Sequence, residues 1–263
     1  TSLSDPRRDF LTNAYGTFNV LEAVRSCSPD ALLAYSSTNK VYGDLGHMEY
    51  LEGATRFTVP NYPAGFNESL PLDFASPYGC SKGAADQYVR DWNRNFGLKT
   101  VVFRHSSLYG GRQFSTFDQG WIGWFCQKAI EQKQAEDSGE TSQSFTISGT
   151  GKQVRDVLHA EDLIALYKTA LKQKDEISGQ IFNIGGGVEN SLSLIELFKA
   201  LEGKLKLRNP LNFKHLARRK SDQNYFVANI EKAHDMINWK PSMGVGQGLD
   251  RMLEWTRDFA NEA

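Results

Sequence analysis

Residues 31–39 read ALLAYSSTN and residues 99–107 read KTVVFRHSS. Each is a short apolar run, the length of a buried strand, that empties into hydroxyl-bearing residues. Between them, residues 77–95 carry the apolar spacing of a helix. Strand, polar strand end, helix, strand, polar strand end is the rhythm of a doubly wound parallel sheet. Ligands in such α/β folds sit at the carboxyl ends of the strands. Ser37 and Thr38 fall there, as do Ser106 and Ser107.

Outward from this pair the pattern continues. A helix is expected from Asp5-Pro6, an acid and a proline at a helix start. Phe10, Ala14, Phe18, Leu21 and Val24 then form one apolar face, until Ser28-Pro29-Asp30 breaks it. Residues 43–75, rich in Gly, Pro, Asn and Glu, read as a long surface excursion. In the second half, 121–135, 162–171 and 194–202 read as helices, and 145–147, 181–184 and 225–227 as short strands. The polar stretch 134–144 reads as a loop. The fold class is α/β, a Rossmann-like doubly wound parallel sheet with a smaller C-terminal α/β unit.

Composition excludes some classes of function. The 263 residues carry 30 basic and 31 acidic side chains, a net charge of −1, which argues against nucleic-acid binding through bulk positive charge. No run approaches the roughly 20 apolar residues of a membrane span. Three widely spaced cysteines, Cys27, Cys80 and Cys126, read as free thiols and a cytoplasmic location. The histidines lack metal-site spacing, so no metal is expected.

Tyr78-Gly79-Cys80-Ser81-Lys82 bears the chemistry. Tyr78 and Lys82 are four apart and share a helix face. An ammonium beside a phenol favours phenolate, so Lys82 is expected to lower the Tyr78 pKa towards neutrality; three units require about 4 kcal/mol. Such a tyrosine takes a proton from a sugar hydroxyl and returns it. The hydroxyl of Thr38 could bind the same substrate oxygen. Cys80, between the two, reads as a small packing residue.

The combination of Ser36-Ser37-Thr38, Val41-Tyr42-Gly43 and Ser76-Pro77-Tyr78-Gly79-x-Ser81-Lys82 resembles the extended short-chain dehydrogenase/reductase family of nucleotide-sugar epimerases and dehydratases. Asn13 with Gly16-Thr17, Arg104–Arg112, GTGKQVRDVLHAED (149–162) and Asn183-Ile184-Gly185 extend the resemblance over essentially the whole chain. It implies NAD as cofactor and Thr38, Tyr78 and Lys82 as catalytic residues. Asn13, Ser36, Ser37, Tyr78, Lys82, Arg104 and Ser106 would hold NAD. Asn39, Ser107, Arg112, Gln113, Gln153, Arg155, Arg219 and Asp222 would hold the nucleotide sugar. Arginine suits diphosphate because its planar fork donates two hydrogen bonds at once. Residues 1–115 would be the C-terminal part of the NAD-binding domain. Residues 116–263 would be mainly the substrate domain, with some segments returning to the sheet. A homo-oligomer is expected, paired through the helices bearing Asn13 and Tyr78.

Segments 37–44, 72–88, 101–114, 118–129, 145–162 and 190–199 narrow the resemblance to inversion at C2 of a CDP-linked 3,6-dideoxyhexose through a 2-keto intermediate. Family dehydratases carry Asp-Glu directly after the strand-end threonine; Asn39 and Lys40 stand there, which disfavours 4,6-dehydration. The alternatives are a UDP-hexose 4-epimerase and a catalytically silent nucleotide-sugar-binding remnant. His105 reads equally as a substrate contact or a bonded strand-end histidine, and Trp121 and Trp124 as a base wall or as core. Gly185-Gly186-Gly187 reads as a turn after a strand.

Neither GxGxxG nor GxxGxxG occurs. The chain opens Thr1-Ser2-Leu3 without methionine, and the resemblance places Thr1 after the family's third and fourth strands. About 75 to 80 residues, roughly two βαβ units with the adenosine and pyrophosphate part of the NAD site, are therefore expected ahead of it.

Overall fold

The computed structural model describes residues 2–116, 119–218 and 222–262. The first half runs α1 (Pro6–Asp9), a wide π-helical stretch (Phe10–Tyr15), α2 (Gly16–Cys27), β1 (Leu33–Thr38), β2 (Leu51–Glu52), β3 (Phe57–Thr58), α3 (Ser76–Phe96), β4 (Thr100–His105) and β5 (Ser107–Tyr109). The second half runs α4 (Trp121–Ser138), β6 (Phe145–Ser148), β7 (Val154–His159), α5 (Ala160–Lys172), β8 (Gln180–Ile184), β9 (Ser191–Ser193), α6 (Leu194–Leu205), β10 (Phe213–Leu216), β11 (Tyr225–Phe226), α7 (Glu231–Ile237) and α8 (Val245–Glu262).

A parallel sheet ordered β1-β4-β8 organises the first half. Val101, Val102 and Phe103 of its central strand are all fully buried, because helices cover both faces. Val102 packs with Leu21, Ala85, Val89 and Trp92 of α2 and α3 on one face. Val101 and Phe103 pack with Leu166 of α5 and Ala233 and Ile237 of α7 on the other. Register pairs Thr38 with His105 and His105 with Ile184, so the three carboxyl ends are level.

A second sheet, β11-β7-β5 with β9 antiparallel to β7, stands beside the first, and β6 and β10 form a parallel pair. Helices α4, α6 and α8 enclose a further core around Phe125, Leu197, Phe198 and Met252. The chain passes back and forth between the units: β5 leaves the first half to pair with β7, β8 returns to pair with β4, β9 joins β7 again, and α7 packs back on the first sheet.

Several expectations are corrected. Strand β1 (Leu33–Thr38) begins two residues and ends three residues later than the apolar run Ala31–Tyr35, so Ser36, Ser37 and Thr38 lie within the strand. Phe10 is 56% exposed. The wide turn is the reason: Gly16 N–H bonds to Leu11 O, five residues back, and this rotates Phe10 off the face that buries Ala14 and Leu21. Helix α4 continues to Ser138, so the loop expected from 134 starts later. The 43–75 excursion is not all surface, for Leu45, Val59, Phe66 and Leu70 are buried against Tyr225–Ala228. Arg56 anchors it to α6 through Glu196 at 2.6 Å and the Ser191 carbonyl. Cys80 is exposed rather than packed, its thiol directed at the Phe74 carbonyl at 3.2 Å.

The glycine run ends β8 in a turn, and packing requires it. A Cβ on Gly185 would lie 1.9 Å from Asp156 Oδ2. Gly187 N–H donates to that same oxygen at 3.1 Å. Asp156 is fully buried, and its carboxyl is pushed up to about 6 by that burial against hydrogen bonds from Ser106 and backbone N–H groups.

Candidate active site at the carboxyl ends of the strands

Helix α3 brings Tyr78 to the end of β1. Pro77 occupies its first turn, where no intrahelical N–H is needed, and Ser76 Oγ accepts from Gly79 N–H at 3.2 Å. Gly79 permits the approach: a Cβ there would press on the Lys40 carbonyl at 3.2 Å. The helix therefore seats against the tight turn Asn39–Tyr42 that follows β1. Thr38 stabilises that turn by accepting from Lys40 N–H at 3.2 Å.

Tyr78 and Lys82 share a face, but they are not charge partners in this structure. Tyr78 is 37% exposed. Burial raises its pKa, and a hydrogen bond with the Thr38 side chain opposes the rise. Lys82 instead donates to the Ser36 carbonyl and lies 4.5 Å over the Tyr35 ring. The lowering of the phenol expected from Lys82 is thus corrected: the ammonium is engaged with strand β1.

Two residues expected at the cofactor, Arg104 and Ser37, are turned into the protein interior. Arg104, 2% exposed, grips Asp86 of α3 with two hydrogen bonds of 2.9 and 3.0 Å. Its third donor reaches the Tyr42 hydroxyl at 3.0 Å. Burial works against the guanidinium charge, but Asp86 and Tyr42 together raise its pKa. Ser37 donates to Asp86 Oδ2 at 2.8 Å. The network continues as Tyr42 donates to Asn183 Oδ1 at 2.7 Å, and Asn183 N–H to Glu68 at 2.6 Å. Arg104 and Ser37 are therefore turned inward, since a buried guanidinium needs its carboxylate. Asn13 is likewise directed elsewhere: its amide donates to Ser81 Oγ at 3.0 Å and pins the wide helical turn to α3.

Ser36 stays exposed at the strand edge, and Ser106 donates to the Asp156 carbonyl at 3.1 Å. His105 is 4% exposed, stacked on Tyr167, with Nε2 3.5 Å from the Tyr167 hydroxyl. Burial and the nearby Lys82 charge push it down to about 4, so the imidazole is neutral. Its Nδ1 is buried without a hydrogen-bond partner.

The expected substrate residues divide into two groups. Asn39 donates to Gln223 Oε1 at 2.8 Å, and Gln223 in turn donates to Gly43 O at 2.7 Å. Beside them Arg155 Nη2 meets Asp222 Oδ1 at 2.7 Å, Lys40 Nζ stands 3.7 Å from the same oxygen, and Arg218 donates to the Asp222 carbonyl. The other group stays local. Gln113 bonds the Leu108 carbonyl, Gln153 bonds the Ser148 carbonyl, and Arg112 is solvent-exposed. Ser107 accepts from Trp121 Nε1 at 3.3 Å. Arg219 lies outside the described residues.

Asp86, Gln223 and Lys40 were not singled out as site residues. Asp86 had a signal: it continues the Tyr78, Lys82 spacing by another four residues on the buried face of α3. Gln223 had none. Among the described residues, no group of three or more His, Cys, Asp or Glu side chains could hold a metal. No helix among them is long and apolar enough to cross a membrane.

A polar cluster at level strand ends, with a tyrosine and lysine one helical turn apart, defines a class, and the chain belongs to it: the model of the NAD dependent epimerase/dehydratase family matches residues 1–185. Over 97% of its length the chain is 56% identical to CDP-paratose 2-epimerase of Salmonella typhi, of which it spans 74%. It is 29% identical to dTDP-glucose 4,6-dehydratase 1 of Escherichia coli, over 97% of this chain and 68% of that one. The solved UDP-glucose 4-epimerase of Thermotoga maritima with UDP-glucose has a TM-score of 0.79 at 24% identity, covering 98% of this chain and 74% of that one, a likeness of fold.

Proposed function

We propose that this protein is an NAD-dependent nucleotide-sugar epimerase that inverts C2 of CDP-paratose to give CDP-tyvelose. The observation that carries the substrate is the 56% identity to the Salmonella enzyme across nearly the whole chain.

The strand ends fit the nicotinamide-ribose half of a dinucleotide. Lys82 offers an ammonium at the edge of β1, and His105 Nδ1 is a buried polar atom with no partner of its own. Tyr78, Lys82, Ser36 and Ser106 are the residues we assign to that half. NAD, when bound, supplies an acceptor and donor of hydride. Tyr78 takes the proton of the sugar C2 hydroxyl and gives it back to the C2 keto oxygen after the sugar has turned its other face. Thr38, already hydrogen-bonded to the phenol, orients that oxygen. The raised phenol keeps its proton in the structure as it stands. Ionisation calls for Lys82 to leave the Ser36 carbonyl and approach Tyr78. Asn39, Arg155 and Asp222 face the nucleotide end. In this reading residues 1–115 are mainly the cofactor half and 116–263 mainly the substrate half.

The test is to supply CDP-paratose, UDP-glucose and dTDP-glucose side by side to the full-length protein with NAD, following products by NMR. CDP-tyvelose is the expected product. Turnover of UDP-glucose alone would replace this reading with a 4-epimerase, and binding without turnover would replace it with a silent binder.

Copies of the chain are proposed to pair through α2, α3 and the turn before α2. Leu11, Tyr15, Val20 and Tyr88 there are 44–53% exposed, apolar side chains that a second copy would cover. Sedimentation should show a dimer or larger, and a monomer at micromolar concentration would remove the assignment.

A further inference from the structure

Three cations converge on one aspartate, two on its carboxylate and one on its backbone carbonyl, beside the candidate catalytic threonine. Arg155 holds Asp222 at 2.7 Å, Lys40 stands 3.7 Å from the same oxygen, and Arg218 donates to the Asp222 carbonyl. The set brings three positive side chains together around one carboxylate, which suits a diphosphate. Lys40 differs from the two arginines in its anchorage. Its backbone N–H is bound by the Thr38 hydroxyl at 3.2 Å, and its carbonyl lies under Gly79, one residue from Tyr78. Its side chain thus spans the gap from the reacting centre to the cation cluster, and no other described cation of the set is rooted at both.

We propose that Lys40 binds the sugar-side phosphate of the substrate, exchanging Asp222 for it, and so seats the diphosphate-bearing carbon C1 beside Thr38. The inference rests on the nucleotide-sugar reading above. In a hexosyl diphosphate C2 is one bond from C1, whereas C4 is across the ring. A phosphate held by a lysine that begins two residues after Thr38 keeps C2 within reach of Thr38 and Tyr78. Lys40 is a positioning residue here; it transfers no proton.

The surroundings make the ammonium responsive. Burial and the Arg155 and Arg218 charges press its pKa down to about 8, while Asp222 opposes them. The Tyr50 phenol, raised to about 12 by burial, faces the same two arginines and stays neutral throughout this range. An incoming phosphate favours the charged lysine, so binding above pH 8 requires proton uptake and weakens as pH rises.

Calorimetry on the full-length protein tests this with CDP, which carries the sugar-side phosphate, and CMP, which lacks it. Lys40→Met should lose about tenfold in CDP affinity and leave CMP within about twofold, with Lys40→Arg restoring most of the loss. The fall in CDP affinity above pH 8 should flatten in Lys40→Met. Equal CDP affinity in wild type and Lys40→Met, equal losses for CDP and CMP, or no CDP binding by the wild type would each overturn the assignment. Absence of CDP-paratose turnover with the CDP pattern intact would fault the proposed reaction and leave Lys40 in place.

Discussion

Tyr78→Phe in the full-length protein is expected to lower kcat by roughly 10²–10⁴-fold, the usual contribution of a positioned acid–base group. The substitution removes one hydroxyl and keeps the ring. That hydroxyl meets the Thr38 side chain, but the helix does not depend on it: Tyr78 is 37% exposed, and α3 is held by Pro77, Ser76 and Gly79 at its start and by Asp86 beneath. Thermal stability and CDP binding should therefore stay close to wild type. A retained turnover rate would dismiss the acid–base role of Tyr78, whatever the substrate. Thr38→Val would be a poor substitute, because the Thr38 hydroxyl also caps the turn that carries Lys40.

The second large effect is on stability. Asp86→Ala should destabilise the protein by about 3–5 kcal/mol, because it strands the Arg104 guanidinium in a site where both partners are at most 2% exposed. For a chain of this size that corresponds to a loss of roughly 6–20 °C in Tm. Ser37 loses its acceptor in the same variant. The double variant Asp86→Ala with Arg104→Met removes the stranded charge and should recover much of the loss, since apolar replacement of both members of a buried pair is often near neutral. Thermal denaturation of the wild type, single and double variants measures this directly. A double variant no better than Asp86→Ala would mean that Arg104 matters for its bond to Tyr42 rather than for its charge.

These two residues show how far sequence reading reaches. Tyr78 and Lys82 share a helix face because α-helical geometry places residues four apart on one side, and this is local. The level strand ends follow from the same kind of information: two apolar runs of matched length separated by one helix. The partners of those residues are a different matter. Lys82 was expected beside the phenol, yet the Ser36 carbonyl lies 46 positions away in sequence and captures it. Arg104 stands near the end of an apolar strand, where the resemblance implies a cofactor ligand. A charge at a buried strand position does demand a partner, and Asp86 completes the Tyr78, Lys82, Asp86 spacing. Gln223 bonds Asn39 from 184 residues away, and no local pattern announces it.

The wide turn at Phe10–Tyr15 makes the point within one helix. Apolar spacing there is regular, and the helix exists, but one extra residue per turn moves Phe10 into solvent and Asn13 onto Ser81. Local propensity does not encode that insertion; packing against α3 decides it. By itself, then, the sequence determined the elements of the first half, the parallel sheet and the residues gathered at its carboxyl ends, because these depend on periodicity and on chain direction, whereas β7, α7 and α8 were not legible in it. Only the tertiary structure decided which of those residues stay open at the strand ends and which are tied into the interior. Side-chain hydrogen bonds and ion pairs are short-ranged, and their partners are set by which distant segments the fold brings within 3 Å or so.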